Sequence, residues 1–140
     1  MSSLDRIVAA HPLAKKPYSA IKFSRLDGNR TPLYTVGKDK KEMGAAAALR
    51  LAAQRFGGHC FYCGQFMTPE QVPEVCTNDH LHPSAKGGHD YLHNLVFACL
   101  ECNRDKRAQD LISYRPDDGR EYLQALDAHL VRCLKSLKRR

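Results

Sequence analysis

The sequence predicts an α+β protein organised around two Cys-x-x-Cys pairs. The first pair is Cys60 and Cys63, and the second is Cys99 and Cys102. Short apolar stretches bounded by glycine and proline predict strands, and alanine-rich or amphipathic stretches predict helices on both sides of the pairs. We therefore expect two zinc knuckles joined by short strands, flanked by an N-terminal hairpin and helix and by a C-terminal amphipathic helix.

The N-terminal part predicts a β-hairpin. Ala20–Ser24 and Leu33–Val36 have the composition of strands, and Asp27–Asn29 between them has the composition of a turn. Five basic residues belong to this part of the chain: Lys15, Lys16, Lys22, Arg25 and Arg30. Single, spaced charges usually face water, so a solvated surface is favoured over the alternative, a basic arm on DNA.

A helix is predicted after the hairpin. Asp39, with Glu42 three residues later, has the pattern of a capping box, so we expect the helix to begin near Asp39. Its apolar stripe is Leu49, Ala52, Ala53 and Phe56. The two glycines that follow Phe56 should end it. We expect this helix to pack on the zinc knuckles as a scaffold, with a face for a partner protein as the alternative.

The four paired cysteines predict a structural Zn²⁺ site. Zinc prefers a tetrahedron of ligands such as thiolates, and each Cys-x-x-Cys turn brings two thiolates to one side of it. Residues 64–98 lie between the pairs, which is more than in a short zinc finger, so this insert must carry structure of its own. Two unrelated cysteine pairs or disulfides are the alternative. Cys76 and Cys133 are expected to be small buried apolar residues.

The insert predicts one helical turn and two strands. Thr68, with Gln71 three residues later, has the pattern of a capping box. Glu74–Asn78 is predicted as an extended stretch that leads into Asp79 and His80, and Leu95–Ala98 as an apolar strand. A loop that contains proline and two glycines separates them.

After the second strand we expect a helix from Leu100 to about Ser113. Three- and four-residue spacing would place four polar residues on one face of it: Asn103, Lys106, Arg107 and Asp110. A turn at Arg115–Gly119 and a long amphipathic helix complete the chain. The stripe of that helix should cover the core, with a dimer seam as the alternative: Tyr122, Leu123, Leu126, Leu130, Cys133, Leu134 and Leu137.

The central stretch resembles the HNH endonuclease family in the version that carries a structural zinc. Asp79 and His80 are similar to the acidic metal ligand and the first His of the motif, Asn94 matches the middle Asn, and Asn103 stands where the last His or Asn is found. The resemblance covers residues 58–110 and implies the ββα-metal fold of that family.

The resemblance also implies chemistry, namely metal-dependent hydrolysis of phosphodiester bonds to 5′-phosphate and 3′-hydroxyl ends. His80 would be the general base, because an imidazole can take up a proton near neutral pH. Asp79 and the side-chain oxygen of Asn103 would bind Mg²⁺ or Mn²⁺, a hard cation that offsets phosphate charge. Asn94 would bond the backbone across the loop so that His80 is oriented.

Three further residues are candidate contacts to nucleic acid: His82, Lys106 and Arg107. Lys106 and Arg107 are either solvated helix residues or contacts to the phosphate backbone, and the family's motif also ends in Lys at the position of Lys106. His82, His89 and His93 share the loop that follows the first strand. Histidines in such loops are mostly polar surface groups, and His82 is kept as a contact to phosphate or as a side chain that supports the residues of the metal site.

The length suits a single domain, 1–140, in which we expect residues 1–58 to form the hairpin and helix, 59–110 the nuclease core, and 111–140 the C-terminal helix and basic tail. Lysine plus arginine number 22 against 15 acidic residues, a net charge of +7. This favours a polyanionic partner such as nucleic acid. By resemblance, DNA is favoured over RNA.

No apolar run in the sequence is long enough to cross a membrane, and the N-terminus lacks the pattern of a signal peptide. We therefore expect a cytoplasmic protein without a membrane partner, and the sequence gives no indication of its oligomeric state. Two other functions stay open: a zinc module that binds nucleic acid without cutting it, and a protein-interaction adaptor. A base next to an oxygen metal ligand favours the nuclease.

Overall fold

The structure, a computed structural model, describes residues 16–116, 119–124 and 128. Within these residues the strands pair two by two into small antiparallel sheets, and short helices connect and cover them. The prediction of a mixed α+β class is confirmed.

The strands are β1 (Ile21–Leu26), β2 (Pro32–Val36), β3 (Gly58–His59), β4 (Phe66–Met67), β5 (Cys76–His80) and β6 (Leu95–Cys99). The α-helices are α1 (Lys16–Ser19), α2 (Ala45–Phe56), α3 (Leu100–Lys106) and α4 (Leu111–Tyr114). Single 3₁₀ turns cover Pro69–Gln71, Ser84–Lys86 and Leu92–Asn94. The sheets pair β1 with β2, β3 with β4, and β5 with β6.

The predicted N-terminal hairpin is present. Ile21 lies opposite Val36, and Lys22 opposite Thr35. In the turn, the Asp27 carboxylate accepts hydrogen bonds from backbone N–H groups two and four residues further on, at 2.8 and 2.9 Å. Aspartate stabilises turns in this way because its short side chain can replace a backbone acceptor.

The predicted start of α2 is wrong. The helix begins at Ala45 and not near Asp39, because the preceding residues are used to join the hairpin. Met43 exchanges two backbone hydrogen bonds with Tyr34, at 2.7 and 2.9 Å, and Glu42 accepts bonds from side chains of β1. Extended backbone that bonds to β2 cannot also form the first turn of a helix.

The core is built around α2. Four of its six alanines (Ala45, Ala48, Ala52 and Ala53) and Leu49 are buried, and these small side chains let the helix lie close to both the hairpin and β5–β6. Asn78 on β5 donates to the carbonyl of Ala46 at 3.1 Å, which ties the strand to the helix. The predicted stripe holds except at Phe56, which is 45% exposed. As predicted, the helix ends at a glycine, because Gly57 has a positive φ.

The turn and strands between the cysteine pairs also match their predictions, with shifted ends. Thr68 and Gln71 form the capping box. The first strand begins at Cys76 and includes Asp79 and His80, and every residue of β6 is buried. Strand β6 leads directly into α3 at Leu100, as predicted.

The predicted helix from Leu100 to about Ser113 is wrong in its second half. It ends at Lys106, because Arg107 has a φ of 54°, which the helix cannot continue through. Asp110 then occupies the N-cap position of a new helix, α4, without a side-chain cap hydrogen bond. Arg107 and Asp110 therefore do not share a helical face with Asn103.

The C-terminal part is described only in part. Of the turn predicted at Arg115–Gly119 the structure describes three residues: Arg115 is a bend, and Pro116 and Gly119 are helical, as are residues 120–124. Tyr122 and Leu123 are buried, in agreement with a stripe that covers the core. The remainder of that stripe, from Leu126 onward and including Cys133, lies outside the described residues. Across the described ranges, the helices are too short or too polar to cross a membrane.

Candidate metal centre and active site

The four paired cysteines come together in one cluster. Cys60 and Cys63 lie in the turn of the β3–β4 hairpin, Cys99 ends β6, and Cys102 lies in the first turn of α3. Their four sulfur atoms are all within 4.8 Å of one another, and the Sγ atoms of Cys63 and Cys99 are 3.9 Å apart. A tetrahedron with Zn–S bonds of about 2.3 Å places its sulfurs about 3.8 Å apart. The cluster therefore fits a structural zinc ion.

Cys76 lies next to this cluster but is not part of it. It pairs with Cys99 across β5 and β6 and is buried. Burial, with the neighbouring cysteine sulfurs, raises the pKa of the Cys76 thiol to about 11. Cys76 therefore stays a neutral thiol, in agreement with its predicted role as a small buried apolar residue.

Asp79 lies on β5 and is buried, with 7% of its surface exposed. Its Oδ2 atom accepts a hydrogen bond from the hydroxyl of Tyr62 and lies 3.1 Å from Nζ of Lys106. Burial, and then the adjacent carboxylate, raise the pKa of Tyr62 well above its ordinary value, so the hydroxyl remains a donor. Neither contact involves Oδ1.

Asn103 lies on α3 above the same strand. Its amide nitrogen donates to Oγ1 of Thr77 at 2.8 Å and is 3.4 Å from the carbonyl oxygen of Asn78. Thr77 and Asp79 are two residues apart, so their side chains leave the same face of the strand. With its nitrogen held in this way, Asn103 has its side-chain oxygen left for another partner.

His80 is the last residue of β5, and its ring reaches the loop that follows. Nε2 lies 2.5 Å from Oδ1 of Asp90, and the side chain is 29% exposed. Because successive residues of a strand point to opposite faces, His80 leaves the strand on the other side from Asp79. The carbonyl oxygen of His80 accepts a hydrogen bond from Lys106 at 2.8 Å.

His82 has contacts at both ring nitrogens. Nδ1 lies 2.9 Å from Oδ1 of Asp110, and Nε2 lies 3.1 Å from the carbonyl oxygen of Lys86. These contacts close the loop onto the start of α4. The side chain of His89 instead stacks on Tyr91, with ring centroids 5.5 Å apart.

Asn94 is buried and holds the loop between the two strands. Its oxygen accepts from the backbone N–H of His82 at 2.8 Å, and its nitrogen donates to the carbonyls of His82 and His89 at 2.9 and 2.8 Å. Bonds across the loop were expected for Asn94, and its expected role in orienting His80 stays a prediction. Gly88 lies in the same loop, where a Cβ atom would be 1.8 Å from the carbonyl oxygen of His82.

The two basic candidates differ in their exposure. Lys106 is fully buried, and its ammonium contacts Asp79 and the His80 carbonyl. In this position it has no access to a phosphate backbone, and it is not a solvated helix residue either. Arg107 follows the end of α3 and is exposed.

Sequence reasoning missed the partners of the motif residues. Asp90 stands beside His80 although the two are ten residues apart, and Tyr62 from the zinc knuckle reaches Asp79. The sequence signals for these partners were an acidic residue in the loop, Asp90, and a tyrosine between the first two cysteines, Tyr62. Neither residue could be placed without knowing how the loop and the knuckle pack on β5.

Comparison with known proteins agrees with the motifs. No curated protein and no solved structure matches the chain. The model of the HNH endonuclease family matches residues 60–109, from the first zinc-site cysteine to just beyond α3. The stretch that was identified from its sequence motifs is thus confirmed as an HNH endonuclease domain.

Proposed function

We propose that this chain is a metal-dependent HNH endonuclease that hydrolyses the phosphodiester bonds of DNA, leaving 5′-phosphate and 3′-hydroxyl ends. In this proposal β5, β6 and α3 form the ββα-metal unit of the family. The observation that carries it is the arrangement of three side chains on β5 and α3. Asp79 and Asn103 lie between the strand and the helix. His80, the residue after Asp79, is held through one ring nitrogen.

His80 is the general base. An ionised carboxylate only accepts hydrogen bonds, so the contact with Asp90 places the proton on Nε2 of His80. The lone pair is then on Nδ1, which has no hydrogen-bond contact among the residues that the structure describes. An imidazole held in one tautomer by a carboxylate can take a proton from an attacking water at its other nitrogen.

His82 is a poor base by the same reasoning. Both of its nitrogens face oxygen acceptors, the Asp110 carboxylate and the Lys86 carbonyl. Because each nitrogen is already directed at one of these oxygens, neither faces a water molecule whose proton it could take. We assign His82 to the structure of the loop.

The catalytic cation would be Mg²⁺ or Mn²⁺, and Oδ1 of Asp79 and the side-chain oxygen of Asn103 would hold it. Both are hard oxygen ligands of the kind these ions prefer, and two protein ligands leave room for water and phosphate oxygens. When bound, such an ion stabilises the charge that develops on the phosphate. The hydrogen bonds from Asn103 to Thr77 and Asn78 fix the amide so that its oxygen is presented.

Lys106 and Tyr62 position the Asp79 carboxylate. Both contact Oδ2, which fixes the rotation of the group and leaves Oδ1 for the cation. We therefore replace the phosphate contact expected of Lys106 by this positioning role. Arg107, exposed at the end of α3, remains the candidate for a contact to the phosphate backbone.

The rival function is a zinc module that binds nucleic acid without cutting it. Such a module needs the cysteine cluster and a basic surface, but it needs neither an oriented amide over β5 nor a histidine held in one tautomer. Those two features favour hydrolysis.

Cleavage of supercoiled plasmid tests the proposal. Wild-type protein should nick or cut it in Mg²⁺ or Mn²⁺ and stop in a chelator that leaves the zinc in place. Asp79→Asn and Asn103→Ala should raise the metal concentration for half-maximal rate at least about tenfold, the loss typical even of residues that only support a metal ligand. Asparagine is chosen at position 79 because it keeps a partner for the buried Lys106 ammonium.

Asn78→Ala is the matched control, since Asn78 lies between Thr77 and Asp79 on the same strand but bonds to α2. It should retain the metal dependence of the wild type. Equal metal dependence in the wild type and all three variants would contradict the assigned ligands. The absence of any metal-dependent cleavage would favour the binding module.

A further inference from the structure

The β1–β2 hairpin exposes more side chains than a hairpin that only supports the core would need to. Strands β1 and β2 pair with each other in a two-stranded sheet. Strand β2 buries Tyr34 and Val36 and is bridged by Met43 on its far side. Strand β1 has four consecutive exposed residues, Lys22 to Arg25. Side chains on both faces of β1 are therefore accessible, and its outer edge is unpaired within the described part of the chain.

The charges around the hairpin are unbalanced. Each nearby acidic residue has a partner: Asp27 caps the turn, Asp39 pairs with Arg55, and Glu42 pairs with Arg25. Five exposed cations form no ion pair with any residue that the structure describes: Lys22, Arg30, Lys38, Lys40 and Lys41. Asp27 bonds only backbone N–H groups, so one negative charge remains beside these five positive charges, and the surface has an excess of positive charge.

Two aromatic side chains accompany these cations. Phe23 is 62% exposed and touches Tyr34 only edge-on, with ring centroids 6.1 Å apart. Phe56 is 45% exposed and lies beside Gly37, at the start of the lysine-rich loop. Exposed aromatic rings among unpaired cations are typical of surfaces that bind nucleic acid, where the rings contact bases and the cations contact phosphates.

We propose that the hairpin surface, β1–β2 with residues 37–41, is where duplex DNA docks for cleavage. A two-stranded ribbon fits the major groove, which is about 12 Å wide, and Phe23 would face the base edges while the lysines contact phosphates. Helix α2 links this surface to the candidate active site, since it packs on β2 and accepts a hydrogen bond from Asn78 on β5. The inference rests on the proposed function and names the surface that function would use.

Binding of a duplex of about 20 base pairs, measured by fluorescence anisotropy over a range of salt concentrations, tests the docking surface. The protein is the full chain carrying His80→Ala, so that binding is measured without cutting. Lys22→Ala/Lys40→Ala should lower affinity at least about tenfold near physiological salt. It should also reduce the slope of log K against log salt by about 1.8, since each phosphate that is no longer neutralised lowers that slope by about 0.9.

Arg50→Ala/Arg120→Ala is the matched control. Both arginines are exposed outside the hairpin surface, and each double variant lowers the net charge from +7 to +5, that is 7 − 2. The control should bind nearly as the unsubstituted chain does. Phe23→Ala should weaken duplex binding and leave the salt slope unchanged, because the phenyl ring carries no charge.

Equal reductions of affinity in the two double variants would overturn the proposal, because binding would then depend on net charge alone. Unchanged binding in the hairpin variant, or no binding of duplex by the unsubstituted surface, would also overturn it. The outcome is separable from that of the proposed function. Plasmid cleavage with hairpin-independent binding rejects only the docking surface, and hairpin-dependent binding without cleavage rejects only the nuclease.

Discussion

At the scale of single residues, the role that each motif side chain can take depends on which of its atoms already have hydrogen-bond partners. His80 and His82 lie two residues apart, and each contacts a carboxylate. Among the residues that the structure describes, His80 has a hydrogen-bond contact at Nε2 alone, whereas His82 has contacts at both nitrogens. Adjacency in sequence does not distinguish a base from a loop residue, but the hydrogen-bond partners do.

The buried ion pair of Lys106 and Asp79 yields a prediction about stability. Lys106→Met should lower the free energy of unfolding by about 3–5 kcal/mol, because removing one partner leaves the other charge buried without compensation. Urea unfolding of the zinc-loaded protein measures it. Lys86→Met is the control, since that side chain is 51% exposed and its ammonium is 3.9 Å from Asp110; it should change stability by about 0.5 kcal/mol or less. A decrease below about 1 kcal/mol for Lys106→Met would show that the pair does not hold Asp79.

At the scale of elements, the zinc cluster joins parts of the chain that are too short to be stable alone. Strands β3 and β4 have two residues each, and α3 has seven. Isolated helices and hairpins of this length are marginal in water. The cluster connects the β3–β4 turn to the junction of β6 and α3, so metal binding and folding of the candidate site should be coupled.

The four-cysteine cluster predicts one zinc ion per chain, which elemental analysis of the purified protein measures. Cys99→Ser should lose the zinc and with it the cooperative unfolding transition, because Cys99 is one of the four clustered cysteines that would hold the ion. Cys76→Ser is the matched control: Cys76 is buried directly opposite Cys99 but is not in the cluster, and this variant should keep its zinc. Full zinc content in Cys99→Ser would refute the assigned ligands.

The elements that could be predicted from sequence were those with local signals. Three signals lay within a few residues of the chain: the cysteine spacing, the apolar run of β6 and the glycine after α2. The structure has the corresponding features where they were expected. The starts and ends that depended on distant contacts were missed. Helix α2 starts late because Met43 bonds to Tyr34, and α3 stops early at Arg107, so neither boundary follows from helix propensity.

The candidate site was predictable to the same extent. Asp79, His80, Asn94 and Asn103 were predicted from their motif, and the structure places them on β5, on the loop that follows it and on the facing helix α3. The burial of Lys106 was not foreseen, because a lysine near the end of a polar helix face normally faces water. Its position depends on Asp79, which lies beneath α3.

At the scale of the whole molecule, α2 lies between a basic hairpin and an HNH domain, and its alanine surface packs against both. The net charge of +7 is concentrated in part on the hairpin side, where the acidic residues are already paired. Binding of the polyanion and its hydrolysis would therefore use different surfaces of one molecule. Substitutions at the hydrolytic site should leave binding almost unchanged.

The central claim is that His80 is the base of a metal-dependent nuclease, and the most direct measurement is the initial rate of plasmid cleavage by His80→Ala and His82→Ala in Mg²⁺ or Mn²⁺. Removal of a general base typically costs about 100- to 10,000-fold in rate. His80→Ala should therefore cut at least about 100-fold more slowly than wild type at every metal concentration, while His82→Ala keeps most of the activity. Wild-type rates in His80→Ala with an inactive His82→Ala would contradict the claim.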